Sequence, residues 1–227
     1  MTVPFYVSPE QIMKDRADYA RQGVAKGRSA VVLSYRDGLA FVADNRSSSL
    51  HKVSEIYDRI GFVAVGRYNV FENLRIAGIR WADLRGYLYD RSDVSARSLA
   101  NAYAQTIGAV FASGEAMPFE VELAVGELGA ACGDDTIYRI TYDGSVTDSS
   151  SFLALGGRAD AVEQELASRW VESLSLEQVL VLAADALAET GRLPASSLEV
   201  GVLDRARAME RKFIRLDPAQ ILRSIEG

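Results

Sequence analysis

One cysteine and one histidine are all that 227 residues provide, and this scarcity removes several kinds of chemistry together. Cys132 has no second thiol for an internal disulfide, and a single thiol cannot build a cysteine-rich zinc site; it reads as a small packed residue. His51 has no second and third ligand at fixed spacing, so no metal site is expected and the ring is read as solvent-exposed. Runs of five or six basic residues are absent, and 25 basic against 31 acidic residues give a net charge of −6. A duplex-binding surface needs a concentrated positive field to displace counterions, so nucleic acid is excluded as a partner. No apolar stretch approaches the roughly 18–20 residues that span a bilayer, and the first residues lack a basic-then-apolar signal pattern. The expected setting is cytoplasmic, with no membrane contact. Linkers rich in Pro, Gly or Ser are also missing, which favours one domain. Hydrophobic residues at 48% and charged residues at 25% suit a soluble chain with a substantial core.

Residues 1–7 have no helical periodicity and contain Pro4, so they read as an extended tail. Ser8-Pro9-Glu10-Gln11 then signals a helix start: Ser8 can cap, Pro9 suits the first helical position, and Gln11 stands where a capping box places Glu or Gln. Met13, Ala17, Ala20 and Val24 form a narrow apolar stripe that ends at Gly27. Strands are expected at 29–35 and 39–44 around Asp37-Gly38, then at 52–57 and 61–65. A helix over 71–89 should bury Leu74, Ala77, Gly78, Trp81, Leu84 and Leu88. A second over 96–111 should bury Leu99, Ala102, Tyr103, Thr106, Ile107 and Val110.

Further strands are expected at 119–126, 136–142 and 145–151, with Asp143-Gly144 as a turn. Helices follow over 159–172 and 176–189, the latter between a Ser175…Gln178 capping box and Gly191. Strands at 198–203 and 212–216 close the pattern. Paired helices between antiparallel hairpins do not fit a doubly wound nucleotide-binding fold, which alternates single strands with single helices. They fit an α+β arrangement of two stacked sheets with helices outside each. Gly156-Gly157 precedes a helix but no Walker-type Lys-Ser/Thr follows, so close strand-to-helix packing is the reading and no cofactor is expected. Asp134-Asp135 reads as a turn rather than a cation loop.

The set Ser8-Pro9-Glu10, Asp18-Tyr19-Ala20, Gly23-Val24-Ala25-Lys26-Gly27 and Ser29-Ala30-Val31 resembles the α-type signature of 20S proteasome subunits, members of the N-terminal-nucleophile hydrolase superfamily. The opening Pro4-Phe5-Tyr6-Val7-Ser8-Pro9-Glu10-Gln11-Ile12-Met13 is similar to actinobacterial α subunits in particular. Asp37-Gly38, Val42-Ala43-Asp44, Lys52-Val53 and Gly156-Gly157 extend the resemblance over nearly the whole chain. It implies a four-layer α/β/β/α sandwich over 28–227, preceded by an α-type helix over 8–27 and a mobile gate tail over 1–7. The Tyr-Asp-Arg that shapes the gate in archaeal and eukaryotic relatives is missing, Gln11 replaces a common glycine, and the loop between Asp44 and Lys52 is short.

In catalytic β subunits of that family, a threonine opening the first strand is the nucleophile, tuned by an Asp and a Lys. Asp44 and Lys52 match those two positions, but Arg28 stands where the threonine belongs and has no hydroxyl. Ser29 is one residue late, which turns it to the other face of a strand. The reading is therefore a non-catalytic subunit, against the alternative of a self-processing hydrolase using Ser29. The resemblance further implies a heptameric ring of neighbouring α subunits, stacked on β subunits. Lys52 and Gly66 would receive the C-terminal carboxylate of ring ATPases or other activators. Thr2, Val3, Pro4, Phe5, Tyr6 and Val7 would form the gate, and Met13, Ala17, Ala20 and Val24 the ring interface. Substrates would be unfolded proteins carrying a small protein tag.

Overall fold

The computed structural model describes residues 8–226, apart from the Cys132 side chain. The expectations placed on residues 1–7 and on Cys132 lie outside the described residues.

Helix α1 (Pro9–Ala25) begins where the sequence signals it, with the Gln11 amide donating to Ser8 Oγ at 3.2 Å. The Gln11 side chain donates forward to Asp15 at 2.6 Å. Four strands follow as two hairpins: β1 (Ala30–Tyr35) with β2 (Gly38–Asp44), and β3 (Val53–Tyr57) with β4 (Ile60–Gly66). Helices α2 (Tyr68–Leu88) and α3 (Ala96–Ser113) come next. Strands β5 (Val121–Glu127), β6 (Thr136–Ile140), β7 (Val146–Ser149) and β8 (Phe152–Leu155) lead to α4 (Ala159–Arg169) and α5 (Leu176–Leu187). The chain then forms β9 (Leu198–Asp204), β10 (Phe213–Arg215) and α6 (Pro218–Glu226).

Two five-stranded sheets result, in the orders β10-β9-β2-β1-β8 and β3-β4-β5-β6-β7, with every pairing antiparallel. Alternate side chains of β1 explain why all its positions are buried. Val31, Leu33 and Tyr35 face α4, α5 and α6, while Ala30 and Val32 face the other sheet together with Phe41, Val63 and Leu155. The second sheet is covered outside by α2 and α3 through Phe71, Leu74, Leu99 and Ile107. The layers run helix, sheet, sheet, helix, as expected.

Several local expectations need correction. The single strand read over 145–151 is divided. Strand β7 stays at the exposed edge of one sheet, a bend in which the Ser151 amide donates to Ser149 Oγ follows, and β8 joins β1 in the other sheet. The chain thus crosses between the sheets at a serine cluster. Helix α6 was not anticipated; its apolar face, Ile221 and Ile225, completes the core over α5. Leu84 and Leu88, read as buried, are 60% and 59% exposed, because α2 packs through Phe71, Leu74, Gly78 and Ala82 instead. Ala77 is exposed too, and so is Thr106, whose hydroxyl returns to the Ala102 carbonyl. Helix α4 stops at Arg169, and the Trp170 indole N–H leaves the helix to reach the Ser34 carbonyl at 2.9 Å.

Candidate functional site

The site forms where four segments meet at the open end of the β1–β2 hairpin. α1 ends against β4 because two glycines allow it. A Cβ on Gly27 would stand 3.0 Å from the Gly66 amide nitrogen, and one on Gly66 would stand 2.1 Å from the Glu120 carbonyl oxygen. Gly66 also has φ +116°, a backbone geometry that favours glycine. This approach delivers Arg28 to the start of β1. Register places Ala30 opposite Ala43, and the Asp44 amide donates to the Ser29 carbonyl at 3.1 Å, so Arg28 and Asp44 share one end of the hairpin.

Arg28, Asp44 and Lys52 do come together. Arg28 Nη1 donates to Asp44 Oδ2 at 3.1 Å and to Oδ1 at 3.3 Å. The Lys52 ammonium donates to the Arg28 carbonyl at 2.8 Å and to the Asp44 carbonyl at 3.0 Å. A lysine ammonium has three N–H donors, so one remains. Lys52 is therefore not in an ion pair with the Asp44 carboxylate, which belongs to Arg28. Burial pushes the Lys52 ammonium down from 10.5 to about 8; Asp44 works against that shift, and the Arg28 cation adds to it.

The Lys52 backbone is held by a residue that sequence reasoning missed. Glu199, buried on β9, accepts the Lys52 amide at 2.8 Å, the Val53 amide at 3.3 Å and the Asn45 side chain at 2.8 Å. His51 Nδ1 lies 3.1 Å from it, and Arg215 pairs with it as well. His51 is thus half exposed, as its reading required, yet engaged by a buried carboxylate. An acidic residue inside the apolar run Leu198–Leu203 was the available signal for Glu199.

Other predicted residues fall elsewhere. The Ala64 amide donates to the Lys52 carbonyl at 3.2 Å, and Gly66 lies two residues further along β4, at the same end of the β3–β4 hairpin. Ser29 turns its hydroxyl toward Gly156 of the neighbouring β8 segment, where a Cβ would lie 3.1 Å from Oγ. Gly157 packs on Ala25, so the glycine pair serves close approach to the end of α1. In the α1 stripe, Ala20 and Val24 are buried within the chain itself, while Met13 is 40% exposed beside Ile12 at 45%. Asp134 lies in a tight helical turn, whereas Asp135 is buried in an ion pair with Arg205. Among the described residues, no cluster of His, Cys, Asp and Glu could hold a metal ion, and no helix is long and apolar enough to cross a membrane.

What this arrangement can do is limited by what stands at its centre. No hydroxyl or thiol occupies the Arg28 position, so the Asp and Lys have no nucleophile to tune. A partly desolvated ammonium with a remaining donor can receive an anion.

Comparison with known proteins identifies the family. Residues 24–203 match the family model described as Proteasome subunit. A protein of Nocardioides sp. (strain ATCC BAA-499 / JS614) named Proteasome subunit alpha is 57% identical over 225 residues, covering 97% of this chain and 88% of its own length. Proteins of the same name from Thermobifida fusca and Acidothermus cellulolyticus are 56% and 53% identical; they cover 100% and 98% of this chain and 92% and 99% of their own length. Matched along nearly its whole length by relatives of that name, the chain belongs to the proteasome subunit family, in its non-catalytic α branch.

Proposed function

We propose that this chain is a gating and docking subunit of a cytoplasmic protein-degradation particle. Copies of it form a heptameric ring on rings of threonine-protease β subunits, restrict substrate entry, and receive ring-shaped ATPases or other activators through their C-termini. The observation that carries the docking reading is the posture of Lys52. Two carbonyls, Arg28 O and Asp44 O, fix its ammonium and leave a donor for an incoming carboxylate. Gly66 offers backbone access near the same edge. For the ring contact, the exposed first turns of α1 with Ile12 and Met13 are the candidate surface, alongside the half-buried Ala17. Ala20 and Val24 act from beneath, holding the helix to its own subunit.

Lys52→Ala is the direct test. Truncating one partner of a desolvated charge pair costs roughly 2–5 kcal/mol, so activator affinity should fall well over tenfold. Assembly with β subunits and hydrolysis of small peptides should stay near the parent level. Binding of an activator bearing a free C-terminal carboxylate to Lys52→Ala as tightly as to the parent refutes the docking role. The gate assigned to Thr2–Val7 has its own test: deletion of residues 2–7 should raise small-peptide hydrolysis by the assembled particle, and equal rates refute it.

A further inference from the structure

Beside Lys52 lies an open cleft of about 530 Å³, lined at one wall by Arg28, Ser29 and Asp44, the hairpin end whose carbonyls hold the lysine. This size falls within the roughly 300–1,000 Å³ of ligand pockets. Its charge is opposite to that of the protein as a whole. Lys26, Arg28, Arg46 and Arg158 line it, against the carboxylates Asp44 and Glu189, in a chain of net charge −6. Arg158 is engaged by the Leu187 and Ala188 carbonyls at the end of α5, and Arg28 is shared with Asp44. The Lys26 and Arg46 side chains are exposed and have no hydrogen-bond or ion-pair partner among the described residues. Two unengaged cations at the mouth of a concave, polar cleft form a field that attracts negative charge.

We infer that this cleft is a subsite for acidic side chains, taking Asp or Glu within a few residues of the C-terminal carboxylate of a docked chain. The inference rests on the docking reading of Lys52, because the terminal carboxylate there sets where the preceding residues run. Arg28 stands between the two: only Nη1 of its three guanidinium nitrogens donates to the Asp44 carboxylate, so it can bridge Asp44 and a bound acid. Lys26 and Arg46 supply the remaining attraction and make it dependent on salt.

The test uses the assembled α/β particle and fluorescein-labelled octapeptides read by anisotropy. Glu or Gln is placed two to four residues before the terminus, each peptide ending in either a free carboxylate or an amide. With a free terminus, the Glu peptide should bind about fivefold more tightly than the Gln peptide at low salt. The advantage should fall to about twofold in Lys26→Ser/Arg46→Ser, whose exposed, unpartnered side chains can be removed without disturbing the fold, and persist in Lys52→Ala. Equal binding of Glu and Gln peptides by the parent, or an advantage undiminished by the double substitution, overturns the subsite. Amidation reports separately on Lys52: a Glu advantage combined with indifference to amidation would refute the Lys52 reading while leaving the acidic subsite in place.

Discussion

At the turn end of the β1–β2 hairpin, Asp135 is buried and pairs with Arg205 Nη2 at 2.5 Å. The Gly129 amide donates to the same carboxylate at 2.7 Å, and the Arg205 amide donates to the Asp37 carbonyl. At the open end of the same hairpin, Arg28 is 45% exposed and its pairing with Asp44 faces a cleft. In the first pair the carboxylate is fully buried and the arginine only 22% exposed. The second keeps its cation on the surface, and its backbone carbonyls present Lys52. Charge pairs of the same chemistry thus fasten the fold at one end and remain open to a partner at the other. Burial, more than residue type, separates the two roles.

The largest effect should come from breaking the sealed end. Asp135→Ala leaves the Arg205 cation without its partner among neighbouring loops, and loss of one member of a buried pair costs about 3–5 kcal/mol. Urea unfolding should show a correspondingly lower midpoint, and Asp135→Ala/Arg205→Met should lose less than the sum of the two single changes. An unchanged midpoint would erase the contrast between the two ends.

A smaller effect, with a defined sign, belongs to the open end. Lys52 has a folded value of about 8 against 10.5 for a free lysine, so between these limits the unfolded chain binds the extra proton. Stability attributable to this residue should therefore increase as pH rises through that window. Activator affinity should move the other way, falling as the ammonium is lost above about pH 8. The check is the difference between parent and Lys52→Met in unfolding midpoint and docking, each at pH 7.5 and 9.5. A parent–variant difference that does not change with pH would show that Lys52 has no such linkage.

The smallest expected effect is none at all. Ser29→Ala should leave the peptidase activity of matched α/β particles unchanged, because Ser29 follows the nucleophile position and its hydroxyl packs toward Gly156. Loss of hydrolysis with assembly intact would return Ser29 to candidacy as a nucleophile.

The architecture was legible wherever pattern and punctuation agreed. Asp37-Gly38 between two apolar runs, and the Ser175…Gln178 box whose two reciprocal bonds form at 2.9 and 3.3 Å, read directly as structure. The same punctuation was overlooked once. Asp217-Pro218-Ala219-Gln220 repeats the form of Ser8-Pro9-Glu10-Gln11 and closes reciprocally, with Gln220 N to Asp217 Oδ1 at 2.8 Å and Asp217 N to Gln220 Oε1 at 2.9 Å. Only two buried isoleucines follow it, too few for periodicity to draw notice. The passage from β7 to β8 was hidden because two edge strands, one from each sheet, ran together without a proline or glycine between them. At the site, Arg28, Asp44 and Lys52 were found by their alignment with family positions. Glu199 was not, because its partners, the Asn45 side chain, His51 and the Lys52 and Val53 amides, lie 146 to 154 residues away and form no local motif.

Glu199 also bears on the order in which the molecule can be completed. Its partners Lys52 and Val53 are 147 and 146 residues away along the chain, and Asn45 is 154 residues away. Contacts this distant form only after the intervening chain has been closed into a loop. A nascent chain emerging from the ribosome therefore has β1 to β4 available early, while the Lys52 and Val53 amides wait for their acceptor until β9 pairs with β2. The posture of the lysine is thus a late product of folding, and a chain interrupted before β9 lacks the carboxylate that holds it in place.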